Sequence, residues 1–124
     1  MDTILDGGEA VQKRRLWELR TPWVRRPWGK DYTIANVFLP DGDYAIVLFT
    51  SESRAEAFRR RAKGSPDLVP PAEWVLPVLL SAPEVRRRYY GPEVVIDPRT
   101  PEAVVGKRQA EMDAARHGGA LAWN

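Results

Sequence analysis

With 124 residues, the chain has the usual length of a single domain and can bury a core without disulfide bonds. Apolar residues make up 44% and charged residues 29% of the sequence, which excludes a chain that is disordered throughout. The net charge of +2 excludes a broad cationic field, although it leaves room for a local basic patch.

The sequence predicts a cytoplasmic protein. It contains no cysteine, which excludes disulfides, thiolate metal sites and cysteine nucleophiles and fits a reducing compartment. The first residues include early acids and no basic region ahead of an apolar stretch, so no secretory signal is expected. The longest apolar run, Trp74 to Leu80, is far shorter than the roughly 20 residues that span a bilayer. Abundant arginine with few Asn, Gln and Met residues is typical of a thermophilic host or of a GC-rich genome.

The first thirty residues predict little regular structure. Residues 1–13 carry no clear pattern and predict a flexible start, as residues 118–124 predict a flexible tail. The apolar residues Leu16, Trp17 and Leu19 predict a short strand over 15–20. Two prolines restrict residues 21–30 to an extended edge or a loop.

The next elements predict a β-hairpin over residues 32–49. Tyr32, Ile34 and Phe38 share one face of its first strand, and Pro40-Asp41-Gly42-Asp43 supplies the turn. The second strand, 44–49, is apolar at every position, which predicts a central strand covered on both faces.

A helix and two shorter segments are predicted beyond this hairpin. The first covers 51–63, begins at Thr50 or Ser51 as the capping residue, and has an apolar stripe of Ala55, Phe58 and Ala62. Residues 70–80 predict either a short helix in their first half or an edge strand broken at Pro77. A short helical turn is predicted over 81–90.

The last part of the chain predicts one strand and one helix. Residues 93–96 are rich in β-branched side chains, and Asp97-Pro98 ends that strand. Thr100-Pro101-Glu102 begins a helix that runs to 117, and its interrupted apolar stripe places it at the surface. Together these elements predict one α+β domain over residues 1–124, with a small, mostly antiparallel sheet and two to three helices packed on it.

Part of this pattern resembles a known family. The stretch from Tyr44 through Phe49, Thr50-Ser51-Glu52 and Phe58, followed later by Val94-Val-Ile-Asp97-Pro98, resembles the N-terminal domain of the SseB family over about half of the chain. Asp97 stands where that family usually has asparagine, and the tryptophan-rich front segment has no counterpart in it. The resemblance implies a small α+β domain of unknown biochemistry and provides no catalytic residues to carry over to this sequence.

No catalytic or cofactor-binding constellation is found in the sequence. His117 is the only histidine, and its place before Gly118 predicts a helix-capping role rather than a ligand or a general base. Neither Gly29-Lys30 nor Gly106-Lys107 has the upstream glycine of a phosphate-binding loop. We therefore expect no cofactor, no metal and no enzyme activity.

Two charged features have an ordinary explanation and a functional one. Asp41 and Asp43 offer oxygen ligands for a hard cation, but their place between two strands favours a simple turn. The arginine triplets 59–61 and 86–88 are spread around helices, which favours solvated charge. The second triplet joins the front segment only if the fold brings the two together.

The most unusual feature is the interleaving of tryptophans and arginines from residue 14 to residue 30. Three interpretations stay open: packing of the rings on the sheet, a protein interface, and stacking of single-stranded nucleic acid on the rings. We expect an interaction module that binds itself, as in a homodimer, or another protein, with nucleic acid as the alternative partner and no role for a membrane. The predicted interaction surface comprises Trp17, Trp23, Arg25, Arg26 and Trp28.

Overall fold

A computed structural model describes residues 15–88 and 93–122 of the chain, without the side chains of residues 30, 86–88 and 117–122. The flexible start predicted for residues 1–13 lies outside the described residues. The strands in the described part are β1 Leu16–Arg20, β2 Val24–Arg26, β3 Gly29–Asp31, β4 Asn36–Phe38, β5 Tyr44–Phe49, β6 Leu68–Val69, β7 Leu76–Leu80 and β8 Val94–Ile96. Its helices are α1 Glu52–Arg61, α2 Ala82–Arg88 and α3 Pro101–Ala122, with a 3-10 turn at Ala72–Trp74.

Six of these strands in the described part form one sheet. Its order is β6-β4-β5-β1-β7, and β8 joins it by pairing with β5. The β5 and β8 strands run parallel, whereas the other pairs in this sheet are antiparallel. The predicted α+β class, with a mostly antiparallel sheet and helices packed on it, is confirmed.

The predicted central hairpin is present as β4 and β5, but its first strand covers only Asn36–Phe38 rather than the stretch from residue 32 onward. Val37 lies opposite Ala45 in the register, and the Asp43 backbone N–H donates to Asp41 Oδ1 at 3.1 Å, which closes the turn. The side chains of β5 from Ala45 to Phe49 are buried or half-buried, as a central strand requires, while Tyr44 at its start is 57% exposed. Coverage on both faces therefore holds for most of β5 but not for its first residue.

The larger core lies between one face of the sheet and the helices α1 and α3. Helix α1 begins where predicted, because Ser51 Oγ accepts a hydrogen bond from the Arg54 backbone N–H at 3.2 Å. The predicted stripe of Ala55, Phe58 and Ala62 is buried, and the Phe58 ring lies 5.1 Å from the Phe49 ring between centroids. Val104 of α3 completes this core.

A smaller core lies on the opposite face of the sheet. It contains Leu16, Leu48, Leu80 and Val85, the last contributed by α2. Half-buried residues border it: Ile34, Ile46, Val94 and Ile96.

Two charged groups fasten the C-terminal elements to the sheet. Asp97 adopts a left-handed backbone at φ 56°, and its carboxylate accepts hydrogen bonds from the Thr50 N–H at 2.9 Å and the Thr50 hydroxyl at 2.7 Å. Arg108 of α3 forms ion pairs with Asp41 and Glu93. The pKa of Asp41 is lowered, first by the hydrogen bond from the Asp43 N–H and then by Arg108. The Arg108–Asp41 ion pair is therefore present above the ordinary pKa of aspartate and weakens in stronger acid.

Three local predictions need correction. Residues 76–80 form a strand that includes Pro77, and only the 3-10 turn remains of the helix predicted for the first half of 70–80. Helix α3 continues through Gly118-Gly119 and ends at Ala122, five residues beyond the predicted end at 117. His117 therefore lies more than one turn before the helix end, and the predicted capping role is wrong. Its side chain lies outside the described residues.

Candidate interaction surface

The tryptophan- and arginine-rich segment forms a small hairpin that is separate from the main sheet. Strands β2 and β3 pair antiparallel, with Arg26 opposite Gly29, so that Pro27 and Trp28 form a two-residue turn. Proline suits the first turn position because its ring fixes φ near the required value. Gly29 has φ 127°, a backbone conformation that a side chain would strain. The prolines that excluded a long strand in the sequence are thus compatible with this short hairpin.

The aromatic rings of the hairpin are exposed. Trp28, at the turn, is 75% exposed, and Trp23, just before β2, is 53% exposed. Val24, Arg25 and Arg26 are exposed as well. Since neither ring is buried in the domain's own core, the packing interpretation does not account for Trp23 or Trp28.

The hairpin is fastened to the sheet at its base. The Thr21 N–H donates to the Thr33 carbonyl, and the Thr33 N–H donates to Thr21 Oγ1, each at 2.9 Å. The Arg20 guanidinium lies 4.3 Å from the centre of the Tyr32 ring, close enough for a cation–π contact. Arg20 Nη1 also donates to Glu18, a buried carboxylate, at 3.3 Å. The base is therefore held by both backbone and side-chain contacts.

A groove of about 410 Å³ lies between the hairpin base, strand β7 and helix α2. Trp23 and Tyr32 contribute aromatic surface to it, and Leu76 and Val78 of β7 contribute aliphatic surface. Glu84, at the start of α2, adds a carboxylate that accepts hydrogen bonds from the Ser81 N–H and hydroxyl, each at 3.1 Å. The groove combines an apolar lining with charged groups, as ligand and peptide sites do.

The structure separates Trp17 from the rest of the predicted surface. Trp17 lies in β1 and packs, half-buried, against the larger core, so the packing interpretation applies to this ring. Trp23, Arg25, Arg26 and Trp28 all lie on the hairpin or next to it. The candidate surface, hereafter the hairpin surface, comprises these four residues and the groove beside them.

Sequence reasoning missed the residues that the fold brings to this surface. Leu76 lies opposite Arg20 and Val78 opposite Glu18 in the pairing of β7 with β1. This contact joins segments more than fifty residues apart, and no local pattern indicates it. The only available signal was the apolar run from Trp74 to Leu80, which was compatible with an edge strand.

Other candidate features are structural in the described part of the chain. Asp41 and Asp43 form the predicted turn. Arg59 is not simply solvated, because its Nε donates to the backbone carbonyls of Ala72 at 3.2 Å and Val75 at 2.7 Å. Arg60 and Arg61 are exposed. The side chains of 86–88 lie outside the described residues, so a link between that triplet and the hairpin stays a prediction.

Neither a metal centre nor a membrane span is found in the described residues. Within 15–88 and 93–122, no group of three or more His, Asp or Glu side chains is placed to hold a metal ion. Among the helices of the same residues, none is long and apolar enough to cross a bilayer.

Comparisons of the chain with protein-family models, curated proteins and solved structures find no match. The similarity to the SseB N-terminal domain therefore stays a prediction. The hairpin surface must be judged on its own geometry and chemistry.

Proposed function

We propose that the chain is an interaction module that binds another protein, or a second copy of itself, through the hairpin surface. The observation that carries the proposal is the exposure of Trp23 and Trp28 on a hairpin outside the main sheet. Tryptophan and arginine are the residue types most enriched among the hot spots of protein interfaces. In this chain both residue types are exposed on or beside the β2–β3 hairpin.

The low stability expected of a separate hairpin with exposed rings supports a binding role. An isolated two-stranded hairpin is marginally stable, and exposed rings gain little from the hydrophobic effect until something covers them. The groove beside Trp23 extends the apolar surface onto Leu76, which is 49% exposed, and onto Val78 of the same strand. Contiguous exposed apolar surface of this kind is typical of interaction sites.

Single-stranded nucleic acid is the second candidate partner. Arg25 and Arg26 are exposed between Trp23 and Trp28 in the chain, and alternating cations and rings suit phosphates and stacked bases. Two carboxylates weaken this candidate. Asp31 lies in β3 of the hairpin, and Glu84 lines the groove, where bases stacked on the rings would bring their phosphates close to a carboxylate; a peptide can place an uncharged apolar side chain there instead.

Light scattering behind size-exclusion chromatography separates these partners. We expect no shift in mass when a mixed-sequence single-stranded oligonucleotide is added, at either low or moderate salt. A mass increase that weakens as salt rises would contradict the proposal and favour nucleic acid. A dimer without oligonucleotide that the Trp23→Ala/Trp28→Ala variant fails to form would identify a second copy as the partner. The Tyr44→Ala variant, which removes an exposed aromatic ring elsewhere, is the matched control.

A further inference from the structure

We propose that the partner of the hairpin surface is an extended, acidic segment of another protein that seats an apolar side chain in the groove. This inference rests on the proposed function and names the chemistry of its partner. It follows from the charge of the hairpin, the lining of the groove and the edge of the sheet beside it.

The strands of the hairpin have a net positive charge. Strands β2 and β3 contain Arg25, Arg26 and Lys30 against one acid, Asp31, and the register places Arg25 opposite Lys30. Like charges directly opposite each other in a strand pair are destabilising. Neither Arg25 nor Arg26 has an ion-pair partner among the described residues. Carboxylates from a partner would relieve this repulsion and complement the basic strands.

The groove supplies the apolar part of the recognition. Trp23 and Tyr32 face it together with Leu76 and Val78, in a volume of about 410 Å³. That volume is of the size that accepts side chains rather than a folded element. An extended segment suits both features, since alternate side chains can enter the groove while their neighbours reach the basic strands.

A second copy of the chain is a poorer occupant. In a two-fold symmetric contact centred on the hairpin, both partners contribute the same basic patch, so the positively charged strands of the two copies would be brought close to each other. Pairing through the edge of the main sheet is also disfavoured, because β7 contains Pro77, which has no N–H to donate. The positive charge of the patch points to an acidic partner, and Pro77 argues against two copies pairing edge to edge through β7.

Selection from a random peptide library displayed on phage tests this inference without assuming a sequence. The immobilised full chain is the bait, and each retained peptide is then tested for binding to the Trp23→Ala/Trp28→Ala variant. We expect the retained peptides to be enriched in Asp and Glu relative to the unselected library and to contain a large apolar residue. Retained peptides without an acidic excess would overturn the inference while leaving the proposed function standing. If no peptide depends on the tryptophans, both fail.

Charge variants test the role of the arginines with a selected peptide. Arg25→Glu/Arg26→Glu is expected to weaken its binding about tenfold or more, and affinity should fall as salt rises. Arg25→Gln/Arg26→Gln provides a milder change should the reversal disturb the hairpin. The matched control is Arg60→Glu/Arg61→Glu on the exposed side of α1, which should leave affinity within about twofold. Equal effects of the hairpin and control variants would overturn the inference.

Discussion

Replacement of Trp23 or Trp28 by alanine is expected to weaken the binding of selected peptides about thirtyfold, the loss typical of a hot-spot residue. Both rings are more than half exposed, so their hydrophobic surface is available to a partner. Isothermal titration of each variant with a selected peptide measures the effect. The free energy of unfolding, measured with urea, should change by about 0.5 kcal/mol or less because neither ring is in the core.

The control for this experiment is another exposed aromatic residue. Tyr44 is 57% exposed and contacts Phe38 edge-on at 6.5 Å between ring centroids, on a strand pair that does not line the groove. Tyr44→Ala should leave peptide affinity unchanged. If Trp23→Ala and Trp28→Ala bind the peptide as tightly as the unmodified chain does, these rings are not the recognition surface.

Phe58→Ala is expected to have the largest effect on stability, a loss of about 3–5 kcal/mol in the free energy of unfolding. Phe58 is a residue of α1 whose side chain is fully buried on the side of the helix that faces the sheet, where it packs against the Phe49 ring. Alanine at this position removes the ring and leaves a cavity in the larger core. Urea denaturation followed by circular dichroism measures the loss.

Phe38→Ala is the matched comparison for Phe58→Ala. The Phe38 ring is 51% exposed and makes its aromatic contact with another exposed ring, so its removal should cost about 1 kcal/mol or less. Similar losses for Phe38→Ala and Phe58→Ala would contradict the assignment of the larger core to the α1 side of the sheet.

The elements that the sequence predicts correctly are those with local signals. Ser51 can cap α1 because a hydroxyl at that position reaches the N–H three residues on, and the structure contains this bond. The turn at residues 40–43 likewise depends on the Asp41 carboxylate, which accepts a hydrogen bond from the Asp43 backbone N–H two residues on. Such contacts span a few residues, so the sequence alone contains the information.

The sequence could not predict the groove, because the groove is formed by segments that are far apart along the chain. Its lining joins the hairpin base with β7 through the pairing of Arg20 with Leu76, and only the complete sheet order determines that pairing. Nothing local to Trp23 indicates that Val78 and Glu84 would lie beside it. The sequence predicted the aromatic and basic side of the site but not its apolar and acidic side.

Glycine and proline explain the local errors. Pro77 weakens a strand prediction, yet proline is tolerated at the edge of a sheet, where β7 lies. Gly118-Gly119 predicts a helix end, yet α3 continues through both residues to Ala122. Glycine inside a helix costs about 1 kcal/mol relative to alanine, which helical neighbours can offset. These residues therefore bias the local structure without deciding it.

The central claim, that the hairpin is a binding surface and not a support of the fold, is tested most directly by removing it. Thr21 and Thr33 are joined by hydrogen bonds at the base, so an Asn-Gly turn can replace residues 22–32 between them. We expect the shortened chain to fold, with a free energy of unfolding within about 1 kcal/mol of the full chain, because the part removed is a hairpin that is separate from the main sheet and whose tryptophans are exposed, together with the Arg20–Tyr32 contact at its base. It should no longer bind the selected peptides. A shortened chain that is unfolded, or that binds them with unchanged affinity, would contradict the claim.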